Sequence, residues 1–389
     1  MDRLQDTLSI LGDLIAFPTV SSDSNLDLMA YLTKRLEAAG AEVALFHDET
    51  GAKANLFATL GPKVDGGIVL SGHTDVVPVS DQTWSSDPFE MTRKDGRVYG
   101  RGTCDMKGFI AAAVAMAPVF ADRLDQRPVH FAFTYDEETG CFGARALAEQ
   151  LERLDFRPSV ALIGEPTSMR VIEGHKGCFE YSTHFEGLAG HGSAPDHGVN
   201  AVEYAARYVT RLLHLKDALR ARAPQNSRFD PPWSTINVGA LQGGIAHNVI
   251  PSRASVDWDL RPVQASDADF VKADLQGYIE TELLPAMQAV SGDAKITTEI
   301  IAEVEGLEPT DANEARDIFM ELTGANGTDL VAFGTEAGIF QGLGLSAVVC
   351  GPGSIEQAHK ANEFVGVDQL SQCVAMLDRL SLKCAAPMS

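Results

Sequence analysis

The sequence has few basic residues for its number of acidic ones. Of its 389 residues, 31 are lysine or arginine and 54 are aspartate or glutamate, which gives a formal net charge of -23. Nucleic acids and anionic membrane surfaces are bound by an excess of positive charge, so this balance argues against either as a partner. A cationic substrate and bound divalent cations remain compatible with the composition.

Cysteines are also scarce, and the six that occur stand far apart without forming any Cys-X-X-Cys pair. Neither a disulfide framework nor a thiolate zinc site is therefore predicted. The chain has no run of eighteen apolar residues, and its first residues include several charged side chains. A membrane span and a signal peptide are therefore not expected. We predict a cytoplasmic protein with reduced thiols.

What the sequence does contain is a series of short apolar runs, each followed by acids or a histidine. The carboxyl ends of parallel strands meet in one crevice, so such residues can converge although they lie far apart along the chain. Taken singly, each one also fits an ordinary polar loop. The residues are His73 and Asp75 after the run 68–70, Glu137 and Glu138 after 129–135, Glu165 after 159–163, and His359 after 346–350.

Asp105 joins this group as a residue at a loop-to-helix junction. Glycines surround it, and the alanine-rich run 109–121 that follows predicts a buried helix. A plain helix N-cap is the alternative interpretation. Histidine and carboxylate ligands suit zinc, cobalt or manganese, and carboxylates can bridge two such ions. Because adjacent residues point in opposite directions, one of Glu137 and Glu138 can bind metal while the other acts as a general base.

Strand-like runs alternate with helical stripes over most of the chain, which predicts an α/β fold with a mixed, mostly parallel sheet flanked by helices. Near Cys178 the pattern changes. Residues 178–304 follow the strand-helix-strand-strand-helix-strand order of a ferredoxin-like α+β domain, with a polar connection predicted over 216–231. We predict a discontinuous catalytic domain of residues 1–177 and 305–389, into which residues 178–304 are inserted.

Five motifs follow one another along essentially the whole chain: Ser71-Gly-His73-Thr-Asp75-Val-Val-Pro78, Gly100-Arg-Gly-Thr-Cys-Asp105-Met-Lys107-Gly, Asp136-Glu137-Glu138-Thr-Gly140, Gly164-Glu165-Pro-Thr and Ala358-His359. Together they resemble the signature of the dinuclear zinc amidohydrolases. The set is specific where each motif alone is not.

The resemblance implies two divalent metal ions, zinc in the first place, with cobalt or manganese as alternatives. It also implies a water that attacks an amide carbonyl and a base that passes a proton to the leaving amine. The roles implied are His73 and Glu165 on one metal, Glu138 and His359 on the other, Asp105 between them, Asp75 as the residue that orients His73, and Glu137 as general base.

The inserted domain is similar to the lid and dimerisation domain of the family, which implies a homodimer. His191 matches a histidine that the family supplies to the neighbouring subunit's site, and Asn248 and Arg261 match residues that contact substrate. An arginine suits a bidentate grip on a carboxylate. From the residues alone, a surface loop, a turn asparagine and a solvated strand arginine are the favoured interpretations. Gly192 departs from the family, where many members have serine.

Within the family, Phe333-Gly-Thr-Glu336-Ala and the segment 350–363 look most like the branch that deacetylates N2-acetyl-L-ornithine for arginine biosynthesis. Glu336 is predicted to receive the substrate's ammonium group, with Thr335 beside it. One alternative is desuccinylation of succinyl-diaminopimelate or deacylation of another N-acyl amino acid. The other is a silent relative that binds amino-acid derivatives or serves as a scaffold, although every implied ligand and the base are present.

Overall fold

The computed structural model describes residues 2–386 and divides the chain into two compact units. The first contains the chain up to Gly174, the segment Pro309–Leu330 and the chain from Thr335 onward; the second contains His175–Glu308 and Val331–Gly334. Residues 331–334, which the sequence assigned to the first domain, thus group with the second unit.

Helices occur in both units. A 3-10 turn at Pro195–His197 precedes the fifth, and a π-helical turn at Ile279–Leu283 separates the sixth from the seventh. In chain order they are α1 Arg3–Ile15, α2 Leu26–Ala38, α3 Lys107–Arg123, α4 Phe142–Leu151, α5 Ala201–Ala221, α6 Ala265–Tyr278, α7 Leu284–Gln288, α8 Glu314–Thr323, α9 Ala337–Gly342 and α10 Val367–Ala385.

The strands form one large sheet in the first unit, one four-stranded sheet in the second, and two small sheets. In chain order they are β1 Glu42–His47, β2 Ala54–Leu60, β3 Ile68–His73, β4 Thr92–Lys94, β5 Arg97–Tyr99, β6 Val129–Thr134, β7 Val160–Pro166, β8 Ile172–His175, β9 Cys178–Glu186, β10 Gly190–His191, β11 Thr235–Gly243, β12 Val249–Ile250, β13 Arg253–Arg261, β14 Lys295–Val304, β15 Asp329–Val331, β16 Ser346–Gly351 and β17 Phe364–Gly366.

The large sheet has the order β1-β2-β6-β3-β7-β16-β8-β15. Its centre is parallel, because β3 pairs in parallel with β6 and β7, and β7 with β16, while β1, β2 and β8 pair antiparallel. The prediction of an α/β fold with a mixed, mostly parallel sheet is confirmed. The carboxyl ends of β3, β6, β7 and β16 therefore lie at one edge, as the sequence pattern requires.

Helix α3 occupies the middle of the first unit's core. Its first eleven residues, from Lys107 to Ala117, are all buried, and α1 and α10 pack against it. The small alanines allow this close packing because they carry little side-chain volume between neighbouring elements. In α1, the side chains that face this core recur at helical spacing, as Leu8, Leu11 and Ile15.

In the second unit the sheet order is β11-β13-β9-β14, and all pairs given for it are antiparallel. Burial alternates along β9, so one face of this sheet packs against a core to which α5 and α6 contribute. The prediction of a polar connection from residue 216 is wrong at its start, since α5 continues to Ala221. Leu212, Leu215 and Leu219 are buried and extend the apolar stripe of the helix.

No helix within residues 2–386 combines the length and the apolarity needed to cross a membrane.

Candidate metal centre

His73 ends strand β3 with its imidazole buried among carboxylates of two other segments. Its Nε2 atom lies 3.0 Å from Asp105 Oδ1 and 3.5 Å from Glu165 Oε1. Glu165 is carried by β7, the strand paired beside β3, and Asp105 by the loop that leads into α3. The parallel arrangement thus brings three predicted ligands within a few ångströms of one another.

His359 approaches Asp105 from the opposite side. Its Nε2 atom lies 3.3 Å from Asp105 Oδ2 and 3.0 Å from Glu138 Oε2. Each oxygen of the Asp105 carboxylate therefore faces a different histidine. This is the arrangement that a carboxylate bridging two cations requires.

Glu137 and Glu138 follow β6, and both belong to the cluster. Ligand atoms of His73, Glu137 and Glu165 lie within 4.8 Å of one another, and so do those of His73, Asp105 and Glu138. The five predicted ligands and the predicted base are consequently gathered at one place.

Asp75 acts on His73 in a way that differs from the prediction. His73 Nδ1 donates to the main-chain carbonyl oxygen of Asp75 at 2.9 Å, whereas the Asp75 carboxylate is 3.6 Å away. Since a carbonyl only accepts, Nδ1 carries the proton, and Nε2 of the neutral ring is left to bind a cation. The expected orientation of His73 by the side chain of Asp75 is therefore provided by its main chain.

The Asp75 carboxylate instead holds the segment after β6. It accepts from the backbone N–H of Glu137 at 3.1 Å and of Glu138 at 3.3 Å, and from the Ser21 hydroxyl at 2.7 Å. Burial alone would raise the pKa of Asp75, but His73 and these donors lower it. Asp75 thus remains charged and fixes the position of both glutamates.

A positive partner for the first of the three adjacent acids was not evident from any motif. Lys53 Nζ lies 2.6 Å from the carboxylate of Asp136 and also donates to the main-chain oxygen of Ser21. Lys53 thus neutralises Asp136, which leaves Glu137 and Glu138 as the acids that face the cluster.

The electrostatics of the cluster require additional positive charge. Burial raises the pKa of Glu137 and of Glu165 well above the usual value, and the negative charge of Asp105 raises both further, although His73 opposes this. Hydrogen bonds to Asp105 and Glu138 raise the pKa of His359 to about 10. Buried carboxylates that repel one another need cations nearby.

One buried atom in the cluster supports the same conclusion. Glu165 Oε1 has no hydrogen-bond partner, although buried carboxylate oxygens are normally paired. Oxygen and imidazole donors without thiolates are the ligand types that zinc, cobalt and manganese accept. The residues present therefore fit a centre for two divalent cations.

Thr335 and Glu336 lie in the interior of the first unit. Both are fully buried; Glu336 accepts from the hydroxyls of Ser71 and Thr134, and Thr335 Oγ1 accepts from the backbone N–H of Ala337. Both oxygens of Glu336 are thus engaged inside the first unit. The predicted contact between Glu336 and a substrate ammonium group stays a prediction, and the hydroxyls of Ser71 and Thr134 would compete for its oxygens.

His191 and Asn248 lie near each other in the second unit, with His191 opposite Val249 in the strand register. Strands β10 and β12 pair there, and Gly192 N donates to Asn248 O at 2.8 Å. His191 is exposed, and its Nδ1 accepts from the backbone N–H of Ser193 at 3.2 Å. In the neutral ring the proton is then on Nε2, which is free to donate.

Arg261 also belongs to the second unit. Its guanidinium lies 3.2 Å from Glu180 and 3.3 Å from Asp259. Its grip on a substrate carboxylate stays a prediction, and these two acids would compete for it.

The sequence model of peptidase family M20/M25/M40 matches residues 69–383, and the chain belongs to this family. It is a hydrolase of the α/β class with a candidate two-cation centre. Its curated relatives include the acetylornithine deacetylase of Myxococcus xanthus, which is 38% identical and covers 97% of each chain. Another is the acetylornithine deacetylase of Pasteurella multocida (strain Pm70), which is 34% identical and covers 98% of each.

Solved structures share the fold at low sequence identity. An M20 family metallo-carboxypeptidase from Sulfolobus solfataricus superposes with a TM-score of 0.73 at 16% identity, over 99% of this chain and 100% of that one. The YXEP protein of Bacillus subtilis, described as a dinuclear metal binding peptidase, superposes with a TM-score of 0.64 at 16% identity, over 98% of each.

Proposed function

We propose that this chain removes the acetyl group from N2-acetyl-L-ornithine, giving L-ornithine and acetate, with two divalent cations, zinc first among them. The observation that carries hydrolysis is the Asp105 carboxylate, whose two oxygens face His73 and His359. The substrate follows from relatives named acetylornithine deacetylase that match over nearly the full chain.

In this proposal each cation has a histidine and a glutamate of its own. When bound, the cations supply positive charge that stabilises the developing oxyanion and lowers the pKa of an attacking water. The residues that would hold them are His73 and Glu165 for one, Glu138 and His359 for the other, and Asp105 for both.

Glu137 is the proposed general base. Its carboxylate lies beside His73 and Glu165, and burial raises its pKa well above the ordinary value, which suits a group that must accept a proton and release it again. The Asp75 carboxylate positions Glu137 through its backbone N–H. Glu137 would take the proton of the attacking water and pass it to the leaving amine.

The second unit is proposed to serve as a lid and as the contact between two copies in a homodimer. His191 supports this role, because its exposed ring presents Nε2–H as a donor that an oxyanion accepts. The cytoplasmic location also stays a proposal; the six free cysteines are compatible with a reducing compartment.

The test is a hydrolysis assay on the purified protein with N-acetylornithine and succinyl-diaminopimelate, before chelation, after chelation and after return of zinc or cobalt. We expect cation-dependent release of acetate from N-acetylornithine. The kcat/KM for this substrate should be at least about a hundredfold higher than that for succinyl-diaminopimelate. The matched variant is Glu137→Gln, which is expected to bind the cations as before and to lose turnover by about a thousandfold or more.

Preference for the succinyl substrate would assign the chain to the alternative reaction. Hydrolysis that survives complete chelation would contradict a cation-dependent mechanism. Cation binding without turnover of any N-acyl amino acid would favour a silent binding protein.

A further inference from the structure

His359 lies in a backbone conformation that needs support. Its φ is +61°, in the left-handed region that a histidine seldom adopts. The side chain is about half exposed, at 53%, so packing alone does not hold it. The main chain is held instead by Gln82, whose Nε2 atom donates to the carbonyl oxygen of His359 at 2.7 Å.

The side chain of Gln82 is itself held by Arg101. Its side-chain oxygen accepts from Arg101 Nη2 at 2.7 Å, while Arg101 Nη1 donates to Glu363 at 2.7 Å. Arg101 and Glu363 are each only 1% exposed, and the guanidinium lies over the ring of Trp84. A buried arginine whose two terminal nitrogens donate to two different side chains has little freedom to move.

Glu363 connects the same pair to the bridging carboxylate. One of its oxygens accepts from the backbone N–H groups of Cys104 at 2.9 Å and Asp105 at 3.2 Å, and the other from Gly102 at 3.0 Å. The Arg101–Glu363 pair therefore holds the loop of Asp105 directly. Toward His359, its hydrogen bonds run through the Gln82 amide and through a longer bond of 3.4 Å from Arg101 to the carbonyl of Lys360.

We propose that Gln82 is a positioning residue that sets the affinity of the cation between Glu138 and His359, without touching cation or substrate. The inference rests on the two-cation centre proposed above. Loss of the Gln82 amide frees the His359 main chain but leaves His73, Glu165 and the backbone bonds of the Asp105 loop in place. The effect is therefore confined to one of the two cations.

The experiment compares wild type, Gln82→Ala and the control Thr83→Ala, an exposed neighbour in the same segment. Cobalt is titrated into chelated protein and followed by calorimetry and by the visible absorption of the bound ion. We expect Gln82→Ala to bind one cobalt as tightly as wild type and the other about tenfold more weakly, the size of effect typical of a ligand's supporting group. Thr83→Ala is expected to match wild type.

Turnover gives a readout that a general loss of structure would not produce. At limiting cobalt, kcat of Gln82→Ala should fall while KM stays the same, and excess cobalt should restore it. A second variant, Glu363→Gln, disturbs the Asp105 loop and should lower the affinity for both cations.

If Gln82→Ala lowers the affinity for both cobalt ions equally, or leaves both affinities at the wild-type value, the role of Gln82 is overturned. The proposed function still stands in either case if wild type binds two cobalt ions and hydrolyses its substrate. A wild-type chain that binds fewer than two would overturn the centre and this inference together.

Discussion

His130 lies in β6 with its ring between two phenylalanines. The ring centroids of Phe57 and Phe156 are each 5.2 Å from that of His130, and the planes are nearly parallel. Nδ1 bonds to the Thr59 hydroxyl at 2.9 Å, and Nε2 has no partner. Burial lowers the pKa of His130 to about 3 from its ordinary 6.5, so the folded protein keeps this ring neutral.

This neutrality makes His130 a source of acid sensitivity. As the pH falls below 6.5, His130 binds a proton in the unfolded chain, but in the folded chain it stays neutral down to about pH 3. The free energy of unfolding therefore decreases across that interval. Between about pH 7.5 and about pH 5, wild type should lose about 2 kcal/mol more unfolding free energy than His130→Phe.

Urea unfolding of both proteins at the two pH values measures the difference. His214→Asn, at an exposed position of α5, is the control and should follow wild type. Parallel pH profiles for wild type and His130→Phe would contradict a neutral buried ring.

At the residue scale, some members of the candidate site could be predicted from the sequence and others could not. His73, Glu165 and the acids after β6 could be predicted because each directly follows an apolar run, and strand ends converge. Glu336 could not be placed, since its environment consists of Ser71 and Thr134 from two other strands. Gln82 has no residue-level signal either, because its role depends on the main chain of His359.

Among the elements, the pairing of β10 with β12 leaves no room for a side chain at Gly192. A Cβ atom at Gly192 would lie 2.9 Å from the main-chain carbon of Asn248, closer than real Cβ atoms approach. The absence of a side chain thus permits the contact that sets His191 beside Asn248. The departure from the serine of many relatives has a structural reason in this chain.

Gly192→Ala should therefore displace the Asn248 main chain by a few tenths of an ångström and lower kcat/KM by about tenfold, with cation content unchanged. The control is Gly277→Ala in α6, where a Cβ would meet no atom within 4 Å. That variant should retain full turnover and gain slightly in stability. Steady-state kinetics and metal analysis of both proteins decide the matter; wild-type kinetics in Gly192→Ala would show that the spacing is irrelevant.

The long, periodic elements were predictable, and the short ones were not. The stripe of α1 and the alternation of β13 are read directly from apolar spacing. The three-stranded sheet of β4, β5 and β17 has strands of only three residues, too short for any period. The sequence predicts too early an end for α5, because the charged residues between its buried leucines resemble a polar loop.

For the molecule as a whole, each of the two units has its own hydrophobic core. Ligands that bind the folded state stabilise it by mass action, by about 2.7 kcal/mol at a hundredfold excess over Kd. All proposed cation ligands belong to the first unit. Cations should therefore stabilise the first unit and leave the second largely unchanged.

Hydrogen exchange with and without cobalt measures this. Peptides that cover residues 71–75, 102–106 and 136–138 should become protected from exchange, whereas β9 and β13 should exchange as before. Protection spread evenly over both units would indicate that they unfold as a single cooperative body, contrary to the expectation.

The predicted insertion of residues 178–304 lies inside the observed His175–Glu308 segment. It could be predicted because the split βαβ order of strands and helices is continuous in the sequence. The grouping of residues 331–334 with the second unit could not be predicted from the sequence. It depends on contacts with residues that are distant along the chain, not on a local pattern.

The ligands of this centre are spread over most of the polypeptide, with His73 before the insertion and His359 after it. During synthesis on the ribosome, a nascent chain that has not yet reached residue 359 already contains His73, Asp105 and Glu165, the proposed ligands of one cation, but lacks the histidine of the other. Binding of the second cation must therefore await translation of residue 359, and products truncated before that residue should lack the bimetallic site.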